Sequence, residues 1–236
     1  MADAILENNR IISLLPRFNI DFGFGELTVA EVCASSGVNT AFFLEIVNSY
    51  VNDDYVARTD FSQFPLSLVV EYLKKTHLYY LKAGLPLIED QINSLIGSSG
   101  LSDEKKKLVL TFFNDYKKEF LDHIMKEEEQ VLPYILEIEE QTGKNKPDVL
   151  FVKRLKEYSI NHFAREHDRL ENSLTNLAEL IIKYLPPFKN RALCDKILSN
   201  LFVLKEDLID HAAMEDKVLV PKVADLEKEI LIRAKS

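Results

Sequence analysis

The 236-residue chain has no tryptophan, two cysteines, seven glycines, eight prolines and no long apolar run. Cys33 and Cys194 are too few and too far apart for a disulfide framework or a sulfur-based metal site, so a reducing cytoplasm is the expected compartment. Scarce glycine and proline leave few places for tight turns. No stretch approaches the roughly 18 consecutive apolar residues of a membrane span. The opening MADAILENNR has neither the basic nor the apolar region of an export signal. Cations are also in deficit. With 29 Lys and Arg against 38 Asp and Glu, the net charge is -9, which disfavours nucleic acid or an anionic membrane as partner. Small ligands and metal cations suit such a chain better.

What is present is material for amphipathic helices, 47% apolar and 28% charged residues, and the fold class read from it is all-α. The stretch DDYVARTDFSQFPLS (53–67) lacks helical periodicity and carries Pro65. It separates a small helical N-terminal domain, residues 1–55, from residues 66–236. Beyond it, apolar residues recur at three and four residue spacing over about 66–96, 102–141, 148–185 and 188–233. Ser102 offers a cap with Glu104 behind it, Gly143 and Pro147 stop the second segment, and Pro186 and Pro187 close the third. Four helices with short links make an up-down-up-down four-helix bundle. In the N-terminal region, LTVAEVCASSGVNTAFFLEIVNSYV (27–51) reads as helix, turn, helix. Residues 18–57 contain no Lys or Arg, however, and phosphate contacts need cations, so a docking or lid domain is expected rather than a DNA reader.

The stretch HIMKEEEQVLP (123–133) returns 88 residues later as HAAMEDKVLVP (211–221). Residues four apart on a helix are offset by only about 40° and rise about 6 Å, so His123 shares a face with Glu127, and His211 with Glu215. Glu119 and Asp207 stand four residues before each histidine, on the same face. They can accept an imidazole N–H bond and fix which nitrogen faces a metal. A single such pair is more often a surface His with an acid partner. Yet His77, His123, His167 and His211 are spaced 46, 44 and 44 residues apart, one per expected bundle helix. Four imidazoles and two carboxylates in a bundle core are costly to bury without partners or a metal. Imidazole and carboxylate donors without thiolate suit Fe, Mn or Zn. His162, about 140° from His167, is expected to point elsewhere. Glu171 is a rival ligand, Glu128 and Glu129 belong to a solvated face, and Tyr79 and Tyr80 read as packing residues.

The duplicated motif, REHDRLE (165–171) and His77 ahead of GLP (84–86) resemble the hemerythrin-like domain of the repair of iron centres family. The resemblance implies a di-iron centre with an oxo or hydroxo bridge. It makes His77, His123, Glu127, His167, His211 and Glu215 the ligands, both glutamates bridging, with Glu119 and Glu166 as nearby acids. It implies repair or protection of iron–sulfur clusters under nitrosative and oxidative stress, with O2 or NO sensing or carriage as the alternative. Expected partners are iron–sulfur client proteins, O2 and NO, and a second copy of the chain. The family's adjacent cysteine pair is missing from IDFGFGE (20–26). Respiratory hemerythrins add a fifth histidine ligand; here none has the right spacing, which implies an open position on each iron and labile metal.

Overall fold

The computed structural model describes residues 1–52, 63–98, 100–162, 168–184 and 190–235, and all regular structure among them is helical. The chain divides into two compact units, Met1–Tyr79 and Tyr80–Ser236.

In the first unit, α1 (Ala2–Glu7) and α2 (Ile11–Leu14) lead through a 3-10 turn, Leu15–Phe18, to α3 (Val29–Ser35) and α4 (Thr40–Val51). The sequence explains both later starts. Thr28 and Glu31 exchange bonds in a capping box, the Glu31 amide donating to Thr28 Oγ1 (3.3 Å) and the Thr28 amide to Glu31 Oε2 (2.8 Å). The Thr28 amide and then the Thr28 hydroxyl, both donating to Glu31 Oε2 (2.8 Å each), lower the Glu31 carboxyl from its ordinary range. Asn39 caps α4 by accepting from the Phe42 amide (3.0 Å). Between them the chain turns at Gly37, whose φ of +67° suits a residue without Cβ. The unit ends in α5 (Leu66–Tyr79), which carries His77. Phe18, Phe42, Phe43, Phe64 and Tyr72 pack edge-on or stacked with centroids 5.0–6.2 Å apart.

The second unit begins with a π turn, Tyr80–Gly84, and continues as α6 (Leu85–Ser98), α7 (Asp103–Lys126), a π turn (Glu127–Val131) and α8 (Leu132–Thr142). Then come α9 (Val149–Glu157), a 3-10 turn (Ile160–His162), α10 (Asp168–Tyr184), α11 (Arg191–Met214), a π turn (Glu215–Leu219) and α12 (Val220–Arg233). Helices α6 and α10 each pack against both α7 and α11, closing a four-helix bundle; α8, α9 and α12 pack beyond it. The apolar stripe of α7, Val109, Phe113, Tyr116, Phe120 and Ile124, is buried at three and four residue spacing, and so is that of α11 from Cys194 through Leu208. Each large buried side chain contributes about 1.5–3 kcal/mol. No helix among the described residues is long and apolar enough to cross a membrane.

The third segment differs from its periodicity. It breaks at Tyr158, where the backbone is extended. The cause lies 67 residues away: the buried Glu227 carboxylate accepts from the Ile160 amide (2.8 Å), Ser159 Oγ (2.8 Å) and Tyr134 Oη (2.6 Å). Burial, then the Glu227 hydrogen bond and charge, raise the Tyr134 phenol above its ordinary range. Ser102 precedes α7 as its N-cap residue, but its side chain makes no capping bond.

Candidate metal centre

The two copies of the motif fold alike, and proline explains how. In each copy α-helix gives way to a π turn that starts at the glutamate and ends two residues before the proline, Pro133 or Pro221. A proline inside a helix has no N–H to donate, and its ring crowds the carbonyl four residues back. A widened turn relieves this. The Leu132 amide bonds the Glu127 carbonyl, and the Val220 amide the Glu215 carbonyl, both five residues back. The Tyr80–Gly84 π turn likewise precedes Leu85 and Pro86. The glutamates therefore sit where the helix changes its winding, a placement frequent at functional sites.

Both glutamates continue the buried stripes of their helices. Four candidates, His77, Glu127, His211 and Glu215, are buried, with exposures of 1%, 0%, 5% and 1%. Within the second unit, one donor atom each from Glu127, His211 and Glu215 lie within 4.8 Å of one another. His123 joins Glu127 through a 2.7 Å Nε2 to Oε1 contact, and His211 Nε2 lies 3.5 Å from Glu215 Oε1. Two carboxylates at such a separation repel by about 3–4 kcal/mol at an effective dielectric near 20, on top of several kcal/mol each for desolvation. A dication between them turns that repulsion into attraction. Two buried carboxylates with imidazoles and no thiolate are a donor set that fits Fe, Mn or Zn.

The surroundings are mostly apolar. Tyr80 packs edge-on against the His211 ring (centroids 5.7 Å apart) and against Phe120 (5.7 Å). Its hydroxyl donates to the Asp207 carbonyl (3.1 Å), one helical turn before His211. Tyr80, Phe120, His123, Ile124, Leu208 and His211 line a cavity of about 20 Å³, enough for one water-sized molecule. Of the acids preceding the histidines, Asp207 is buried and Glu119 half-buried. Glu128 is half-buried and Glu129 exposed, on the π turn after Glu127.

A protein-family comparison matches residues 69–223 to the hemerythrin HHE cation-binding domain. The chain belongs to that family. It is thus a metal-binding protein built on a hemerythrin-like helical bundle, preceded by helices of its own N-terminal region. A comparison with curated proteins gives no match.

Of the remaining candidates, His77 is in the last turn of α5 in the first unit. His167 and Glu166 lie outside the described residues, Glu171 is on α10, and His162 ends the 3-10 turn. Tyr80 packs as its sequence context suggests, and its bond to the Asp207 carbonyl has no signal in the sequence. The three π turns were not expected; the recurrence of proline at 86, 133 and 221 is the signal the sequence offers for them.

Proposed function

We propose that this hemerythrin HHE protein, in which His77, His123, Glu127, His167, His211 and Glu215 would hold two iron ions, serves the repair or protection of iron–sulfur clusters. The observation that carries the di-iron reading is the convergence of the buried Glu127, His211 and Glu215. The resemblance to the repair of iron centres family carries the step to cluster repair. Bound iron supplies Lewis acidity and a reversible one-electron couple. The chain's own residues hold the two carboxylates convergent, orient His211 against Tyr80, and line the cavity beside it with Phe120, Ile124 and Leu208. In repair, iron is cargo. A ligand set of four histidines without a fifth suits release, and Glu119 and Glu166 guide the ion through their negative charge. The test is transfer of ⁵⁷Fe from the loaded protein to an apo iron–sulfur protein, followed by Mössbauer spectroscopy. Appearance of labelled cluster supports repair; retention of the label by the donor contradicts it.

A second reading, reversible binding of O2 or NO as a sensor or carrier, is favoured by one observation. The cavity of about 20 Å³ beside His123 and His211 has the size of a diatomic molecule and largely apolar walls. Reversible optical changes under NO or O2 with full metal retention distinguish it from repair.

A further inference from the structure

The first unit contains a buried guanidinium that the proposed iron chemistry does not use. Arg17, in the 3-10 turn after α2, is 1% exposed. Its Nη1 donates to Tyr50 Oη (2.7 Å) and lies 3.4 Å from Tyr72 Oη, and the two hydroxyls are 3.2 Å apart. Its Cζ lies 4.9 Å from the Tyr79 ring centre and 5.5 Å from that of Tyr50. A buried cation is expensive and is tolerated where its surroundings are ordered around it.

The geometry on α5 gives this arrangement its meaning. Tyr72 and Tyr79 are seven residues apart, two turns, and so lie within about 20° of one another on one face. Arg17 touches both and spans those two turns. His77 lies between them in sequence but about 140–160° around the helix from either. Phe18 stacks on Tyr72 (5.3 Å) and Phe42 meets it edge-on (5.9 Å), gripping the same face. The face of α5 opposite His77 is thus clamped by residues from the 3-10 turn and α4.

We infer that Arg17 is a positioning residue for His77: by bridging Tyr72 and Tyr79 it fixes the rotation and depth of the last turns of α5, and so the direction in which the imidazole points. The first unit then sets how His77 is presented, and whatever loosens the clamp loosens that histidine. The link to iron retention rests on the proposed role of His77 as a ligand; the effect on the histidine itself does not.

The test compares wild type with Arg17→Met and Arg17→Lys. In metal-free protein, carbethoxylation of each histidine by diethyl pyrocarbonate is followed by peptide mass spectrometry. In iron-loaded protein, release is followed with ferrozine. Arg17→Met should raise modification of His77 several-fold, leave His123 and His211 at wild-type rates, and speed iron release several-fold. Arg17→Lys keeps the charge but cannot serve both hydroxyls and both rings, so it should fall between. Unchanged His77 reactivity in folded Arg17→Met overturns the inference, as does a parallel rise at all three histidines, the mark of general loosening. If Arg17→Met does not fold, Tyr50→Phe removes the α4 hydroxyl that accepts from Arg17 (2.7 Å) and from Tyr72 (3.2 Å), and the same criteria apply to its smaller effect. Selective exposure of His77 in a protein that takes up no iron keeps the positioning role and refutes the proposed function.

Discussion

The two copies of the His-x-x-x-Glu motif share a backbone and differ in their surroundings. In both, a π turn begins at the glutamate and ends shortly before a proline. In the first copy the imidazole and carboxylate meet at 2.7 Å, the His123 side chain is 11% exposed, and the acid one turn before it, Glu119, is half-buried. In the second the pair stands 3.5 Å apart, the His211 side chain is 6% exposed, Asp207 is buried, and Tyr80 packs on the imidazole. Local spacing therefore sets where the ligand atoms start. Depth and neighbours set how firmly each is held, and the second copy is the more constrained half.

The sharpest way to break the comparison is to neutralise one carboxylate in each copy. Glu127→Gln and Glu215→Gln should each raise the stability of chelator-treated protein by about 1–3 kcal/mol, because a buried like-charge contact is relieved. Each should lower that of metal-loaded protein, where an anionic ligand is lost. Thermal melts with and without metal check this sign reversal, and shifts of the same sign in both states count against convergence on one ion pair.

Next in size are the histidines. His211→Ala should lower metal content and the metal-loaded melting temperature more than His123→Ala, since it also opens the packing against Tyr80. Alanine in a packed aromatic surround costs about 2–5 kcal/mol by analogy with large-to-small core changes. Equal losses would show that the two copies are held alike after all.

A smaller effect is expected at the acids. Asp207→Asn should change iron release by about 10-fold, within the 10 to 100-fold usual for groups that orient metal ligands, and Glu119→Leu by less. Glu128→Leu, without their relation to a histidine, should leave release near wild type. Ferrozine kinetics rank the three, and a larger effect at Glu119 than at Asp207 would reverse the assigned order of constraint. Smallest of all, Tyr80→Phe removes one hydrogen bond to the Asp207 carbonyl, worth about 1 kcal/mol. It should shift the melting temperature slightly while leaving the metal count unchanged.

The all-helical class was legible because periodicity survives folding: the stripe from Val109 to Ile124 lands on Glu127 three residues later, and spacing alone places that carboxylate inside. The N-terminal helix pair was legible from the turn at Gly37 to Asn39 between two helical runs. The break after Glu157 was not, because the apolar pattern of residues 148–185 continues while the carboxylate that captures Ser159 and Ile160 belongs to α12. Arg17 was invisible for a similar reason. Arg17 stands in the largely apolar stretch IISLLPRFNI (11–20), but the groups that receive its charge, Tyr50, Tyr72 and Tyr79, are distant in sequence. The prolines were in plain view, but whether a helix answers proline by kinking, ending or widening is decided by the packing on either side.

The central claim, that the two copies build one dinuclear iron centre, is tested most directly by metal analysis of freshly purified wild type alongside Glu127→Gln and Glu215→Gln. The account predicts two iron ions per chain in wild type and substoichiometric iron in both variants, with helical circular dichroism retained in all three. Wild type that folds with full helicity and carries no metal, or a single ion that either variant keeps, would contradict it.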